Sequence, residues 1–578
     1  MTTINSSEEY SNTEIEDKNA LTVFNGQMLS PSKLLESLES YCADLAVFEY
    51  SHQQALFTGT TLQPDASKVE AVESMGVELE ERYNSFLQRI ASITEEDLHR
   101  LIEKKPGLVS YTRLIAHIRH KFPQSLDDRS RQLTTRMKSL PNSTKRLFDA
   151  LVNQDFDFGE IDIQGNHTAL KKNNYSRMMV QNNREIRNTA YNLYYKQFDT
   201  HKQSLSTIFK THIAQEIMYS RIQGSSSTRK RIFDEDNVAE SVHDTVIGTI
   251  RRHASSFHRY FSLRKAILGV ERLEAYDLMV PLVEIEDFHF PYRQAVTEIC
   301  GSVALLGDTF TTTLKEGLLK TWVDYAERED KRPGAFTSTS YYGGPLVNLN
   351  YKEDVLQSLF TLAHESGHAM HAWYSIQHNP FHTYAYDVLV TETVAAVHEE
   401  LLYRHLILQA HDVQTKAFLL ERQLQGMTLK LLRQTLLAEF EHKVFLSEES
   451  GTPMSLQDMR NLFRSLWKHY YGPSVHLTPV GDLEWLTVDQ MYTPYYSYTY
   501  PTGAIASLSI ADSILNGKKD AISRYMRLLK SGGTFPPEQT FSLVGIDLTS
   551  DGLYKQAMEH FDTLLHTFEE MVDSLGLL

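Results

Sequence analysis

Between Val355 and His378 the chain places apolar residues on almost every side of a helix, and this segment limits how the whole molecule can fold. Val355, Leu359 and Leu362 fall on one face at helical spacing, and Leu356, Phe360 and Ala363 widen that face. A helix that is apolar most of the way round has to be buried, so other elements must surround it. Asn350, three residues before Glu353, has the spacing of a capping box and predicts that the helix opens there. Asn379-Pro380 predicts its end, because proline cannot continue a helix and the residue before it avoids helical backbone.

Inside this buried helix stands His364-Glu365-Ser366-Gly367-His368. Residues four apart on a helix share a face, so His364 and His368 can place two imidazoles on one cation. Glu365 is rotated about 100° from His364. It cannot comfortably join the same ion, but it can reach a water beside it, and this is why the spacing suits metal-assisted hydrolysis. Without such a role, three polar groups would be buried on an apolar helix at considerable cost. The segment Thr391–Leu402 reads as a second helix, joined to the first by a short loop after Pro380, with Ala395 and Ala396 small enough for close approach. From that helix Glu392 can complete a His-His-Glu set and leave a fourth position open. Glu399, seven residues on and on the same face, can hydrogen-bond a ligand imidazole from behind. His371 lies near the face of His368, but Ala-Trp-Tyr-Ser follows it instead of the glycine and further histidine of a three-histidine site. It is expected behind the ligands or in packing.

The rest of the chain reads as mainly α. Leu34, Leu35, Leu38 and Tyr41, then Phe86, Ile90 and Ile93, recur at helical spacing, and a second helical region runs from about 180 to 275 with a connection at Gly224–Thr228. Residues 1–25 form an acidic tail without periodicity, 26–190 a helical amino-terminal domain, and 191–578 a catalytic domain. Asn153–Gly159 is expected as a loop. Two short strands are expected at 334–340 and 346–349 around the turn residues 341–345. The net charge of −17 disfavours nucleic acid as a partner. No apolar run approaches the ~20 residues that cross a bilayer, so no membrane partner is expected. The polar, acidic start lacks the pattern of a secretory signal, and Cys42 and Cys300 are the two cysteines of the sequence. These features point to a reducing, cytoplasmic setting.

Met491–Gly503 holds five tyrosines in nine positions: Tyr492, Tyr495, Tyr496, Tyr498 and Tyr500. Hydrolysis of a peptide by an activated water makes a tetrahedral oxyanion, and a phenol aimed at it contributes a few kcal/mol. One or two of the five are expected to donate in this way, and the others to pack.

Together these stretches resemble the oligoendopeptidase F family of thimet-like M3 zinc metallopeptidases. The likeness is carried by Tyr276–Leu282, Gly334-Ala335, Leu349-Asn350-Tyr351, His364–His371, Glu392, Tyr496-Ser497-Tyr498, Lys530–Gly533 and Gly545-Ile546-Asp547. It implies a two-lobed helical protein around a deep substrate channel, with a small β element beside the motif helix. It further implies one Zn2+ on His364, His368 and Glu392, Glu365 as general base, and internal cleavage of oligopeptides in the cytoplasm. Aligned in this way, Tyr498 is the expected oxyanion donor, Tyr492 and Tyr495 are expected substrate contacts, and the strand pair holds the substrate main chain, with Gly334 letting backbones come close. Many members carry a histidine just before the tyrosines. Here that position is Gln490, so either Gln490 substitutes, His476 fills in, or the helper is absent. Two other readings stay open: a peptide-binding protein with weak hydrolysis, and an exopeptidase that trims dipeptides.

Overall fold

The computed structural model describes residues 30–58, 66–121, 139–163, 165–285, 289–328, 331 and 334–578. The expected tail at 1–25 lies outside the described residues. Helices dominate, and apolar residues gather into two cores. The smaller core belongs to the first helices, Pro31–Thr58, Ala66–Ala91, Glu95–Lys104 and Thr112–Lys121. It buries Leu34, Leu38, Phe86, Ile90, Leu98, Leu108 and Ile115, the helically spaced set that the sequence singles out together with its partners. Thr94 opens one of these helices by accepting the N–H of Asp97 at 3.0 Å.

The larger core runs from Phe148 to Val572. Residues 148–190 contribute to it through Phe148, Phe158, Leu170 and Met178, although they precede the expected boundary at 190. Arg184–Thr200, Lys202–Ile222, Thr228–Glu235, Glu240–Arg252 and Ala254–Ile267 form the second helical region. Its connection turns at Gly224 (φ +81°), and Ser227 caps the next helix by accepting the N–H of Lys230. The expected loop at 153–159 begins instead as a wide helical turn, Leu151–Asp155, and leads into a hairpin, Glu160–Ile163 with Asn166–Ala169. No helix among the described residues is long and apolar enough to cross a membrane.

A three-stranded sheet sits beside the motif helix. Phe336–Ser340 pairs antiparallel with Gly344–Asn348, which pairs parallel with Val323–Asp324, so Phe336–Ser340 is an edge strand. The hairpin agrees with the sequence reading; the third strand is too short to be read there. Gly334, just before it, takes φ +90°, a conformation that favours glycine, but a Cβ there would meet nothing within 4 Å. Its glycine serves the turn, and the space beside it is open. On the far face, Gln53 of Pro31–Thr58 donates to the carbonyls of Ser338 (3.0 Å) and Gly344 (2.8 Å), while Ser340 Oγ donates to Gln53 Oε1. The smaller core is thereby tied to the sheet.

The motif helix spans Leu356–His378 and ends before Pro380 as expected. Its start is six residues later than the Asn350 reading. Tyr351 still runs along the sheet, donating its N–H to the carbonyl of Tyr325, and Asn350 donates to the carbonyl of Gly334 instead of capping. The returning helix is Val388–Gln409. A Cβ on Gly367 would stand 2.6 Å from Ala395 Cα, so glycine against alanine sets the distance between these two helices.

Candidate metal centre

A cavity of about 780 Å³ opens over the motif helix and the returning helix. His364, Glu365, His368, Glu392 and Glu399 line it, as do Thr337 and Thr339 of the edge strand. One ligating atom each of His364, His368 and Glu392 lies within 4.8 Å of the others. The two Nε2 atoms stand 3.1 Å apart, and Glu392 oxygens lie 3.7 Å from His364 Nε2 and 3.8 Å from His368 Nε2. Two nitrogens held tetrahedrally ~2.0–2.1 Å from one zinc stand roughly 3.3 Å apart.

The hydrogen bonds behind the rings show what the facing atoms are. His364 Nδ1 meets Glu399 Oε1 at 2.7 Å, and His368 Nδ1 meets Thr391 Oγ1 at 2.8 Å. Lys430 Nζ donates to both oxygens of Glu399, at 2.9 and 3.0 Å. Burial opposes the charge of Glu399, but Lys430 and His364 outweigh it and bring its carboxyl down to about 2. A carboxylate only accepts, so His364 Nδ1 carries the proton and its Nε2 presents a lone pair. The His364 lone pair, the Nε2 of His368 and a carboxylate converge on one point, which fits a divalent cation of the zinc class.

Glu365 is 5% exposed, and burial raises its carboxyl above the ordinary value, against the His364 and Thr337 contacts. The Thr337 hydroxyl donates to Glu365 Oε2 at 2.5 Å. Neither Thr337, Thr391 nor Lys430 was singled out from the sequence. Each makes a single polar contact across a large sequence separation, which carries no periodicity. Lys430 sits on a wide helical turn, Thr428–Arg433, a distortion found often at functional sites.

His371 is fully buried and stacks on Tyr386 at 3.8 Å; Tyr386, in turn, lines the cavity. Burial pushes the His371 imidazole down to about 3. His476 stands elsewhere, bonded to Glu274 Oε2 at 2.7 Å and to Arg272, and does not fill in near the tyrosines.

The tyrosines divide differently from expectation. Tyr496 and Tyr500 line the cavity with Gly503. Tyr498 is 1% exposed, its ring stacked on Phe233 at 4.8 Å, and it does not line the cavity. Tyr492 packs on Phe148 and Phe209, and Tyr495 on Phe445 and Phe233. These three are core residues, because Tyr498 lies two positions from both cavity tyrosines and so points to the opposite side. Positions 496, 500 and 503 have helical spacing, and this signal could have selected the cavity pair. Gln490 hydrogen-bonds the Tyr500 hydroxyl, and Tyr500 in turn hydrogen-bonds Tyr496.

Residues 177–560 match the model of peptidase family M3. The chain belongs to that family. The M3 member is 31% identical to Oligopeptidase PepF of Bacillus subtilis (strain 168) over 484 residues, 84% of this chain and 72% of that protein. It is 28% identical to an Oligoendopeptidase F homolog of Borreliella burgdorferi over 93% of this chain and 91% of that protein. Its fold is similar to the crystal structure of oligoendopeptidase-F from Enterococcus faecium, with TM-score 0.74, 23% identity, and 94% of each chain covered. The M3 chain is therefore a metallopeptidase with a mainly α fold.

Proposed function

We propose that this metallopeptidase is a zinc endopeptidase for short oligopeptides, with His364, His368 and Glu392 holding one Zn2+. The observation that carries the reading is the convergence of those three ligating atoms beside Glu365, beneath an open strand edge. When bound, the zinc would polarise the scissile carbonyl and make water a better nucleophile. Glu365 takes a proton from the attacking water on a carboxylate oxygen and delivers it to the leaving amine nitrogen. Tyr496 or Tyr500, each lining the cavity, donates its phenolic O–H to the developing oxyanion.

The sheet supports strand-like capture of the substrate. Val347 donates its N–H to the carbonyl of Trp322, away from the edge strand, and stands opposite Thr337. Thr337 is therefore in a non-hydrogen-bonded pair, and its own N–H and C=O point to the open edge. A peptide pairing there adds a strand beside the metal ligands. Internal cleavage is favoured over trimming from a carboxyl terminus by the state of Lys430. Among the described residues lining the cavity it is the one lysine or arginine, and Glu399 holds its ammonium with both oxygens. Free thiols at Cys42 and Cys300 suit a cytoplasmic setting. The test is cleavage of an end-blocked quenched peptide by protein carrying one zinc by elemental analysis. Internal cleavage that falls at least about a thousand-fold in Glu365→Gln is expected; equal slow rates in both proteins would favour a peptide-binding protein.

A further inference from the structure

Tyr495 adopts φ +54°, one of three positive values at non-glycine residues in the described chain. Left-handed backbone is costly for a bulky aromatic and persists where the surroundings hold it. Here the surroundings are specific. Glu441, on the helix Gln434–Glu449, accepts the Tyr495 N–H at 3.0 Å. The Tyr495 hydroxyl lies 3.2 Å from Nδ1 of His442, the next residue on that helix. Glu441 is 1% exposed, and burial pushes its carboxyl up to about 8. A buried carboxyl is an expensive way to satisfy one backbone N–H, and a purely packing role would be met by an apolar side chain.

The turn has a consequence for the metal cavity. Across it the chain reverses: Tyr495 enters the core, 2% exposed, and the next residue, Tyr496, lines the cavity. Tyr496 also accepts the N–H of Thr499 at 3.0 Å, so the turn feeds directly into the helix Thr499–Leu515 that carries Tyr500. We infer that Glu441 is a positioning residue, which fixes the left-handed turn at Tyr495 and thereby aims the Tyr496 phenol at the oxyanion. This rests on the reading of Tyr496 as an oxyanion donor.

The experiment is a double-mutant cycle in the zinc-loaded, full-length enzyme. Glu441→Leu removes the acceptor at similar volume, and Glu441→Gln keeps one. Glu441→Leu lowers kcat roughly ten- to a hundred-fold, with KM and zinc content little changed. It weakens a phosphinic peptide, whose tetrahedral oxygen mimics the oxyanion, by a similar factor in calorimetry. Glu441→Gln stays within about three-fold of the parent. In a Tyr496→Phe background Glu441→Leu costs no more than about two-fold, because the donor it aims is already gone. If Glu441→Leu costs the same in both backgrounds, the positioning role is overturned while the donor role of Tyr496 stands. If Tyr496→Phe alone leaves kcat unchanged, the donor reading and the positioning role both fall. Should Glu441→Leu fail to fold, His442→Phe keeps a ring in place, removes the contact with the Tyr495 hydroxyl, and is judged by the same non-additivity.

Discussion

Thr337→Val separates the orientation of Glu365 from every other property of the site. Valine has the shape of threonine and the same preference for strands, so the edge strand and its pairing register are retained. What is lost is the 2.5 Å hydrogen bond from the Thr337 hydroxyl to Glu365 Oε2. A hydrogen bond to a charged group contributes about 1.5–3 kcal/mol. Glu365 is 5% exposed, so water replaces the lost donor poorly and the upper part of that range applies. At about 1.4 kcal/mol per factor of ten, kcat on a quenched peptide falls roughly thirty- to 140-fold. The metal ligands and the open edge are untouched, so zinc content and KM stay close to the parent values. Thr337→Ser restores the hydroxyl and most of kcat. The reasoning is refuted if Thr337→Val keeps kcat within about two-fold, or if Thr337→Ser is as damaging as Thr337→Val.

Three further outcomes test the metal support and the buried carboxyl. Glu392→Ala lowers zinc retention and activity together, while Lys430→Met, which leaves Glu399 with one partner fewer, weakens zinc about ten- to a hundred-fold in competition with a chelator; full zinc occupancy in Glu392→Ala would mean another residue is the third ligand. Glu441→Gln raises thermal stability more at pH 8 than at pH 5. Below 4.5, the ordinary value for this carboxyl, folded and unfolded chains both keep its proton. As pH rises toward 8 the unfolded chain releases the proton and the fold retains it, so the native carboxyl subtracts stability across that window. Equal shifts in melting temperature at the two pH values would refute this.

The metal helix was legible because its information is local. His364 and His368 lie four residues apart, Glu365 lies beside one of them, and Glu392 comes from the returning helix, which follows Pro380 and a short helical turn, Phe381–Tyr384. The apolar wrapping of Leu356–His378 also states burial directly, and Gly367 against Ala395 is the close approach that small residues in the second helix anticipate. The supports of the site were not legible. Lys430 reaches Glu399 across 31 residues, Thr391 reaches His368 across 23, and Thr337 reaches Glu365 across 28. A single polar contact at such a distance leaves no pattern in the amino acids between.

The tyrosine segment failed for a different reason, and it shows where periodicity stops being a guide. The helix that would impose a period begins at Thr499, and before it lie a short tight turn, Asp489–Tyr492, and the left-handed residue Tyr495. Matching these positions to a family pattern assumes that neighbours keep a constant angular relation, which a positive φ breaks. Counting from inside the helix avoids that assumption: Gly503 approaches Thr393 of the returning helix closely, with a notional Cβ 3.3 Å from its Oγ1, so this face looks toward the helix that carries Glu392 and lines the cavity. Tyr500 and Tyr496 follow back along that face at three and four residues. The direction of Tyr498 is then fixed as well, away from the cavity and against Phe233. A close helix contact in the second half of the segment therefore decides the chemistry of its first half, and the buried carboxyl of Glu441 is what keeps the strained turn between them from relaxing.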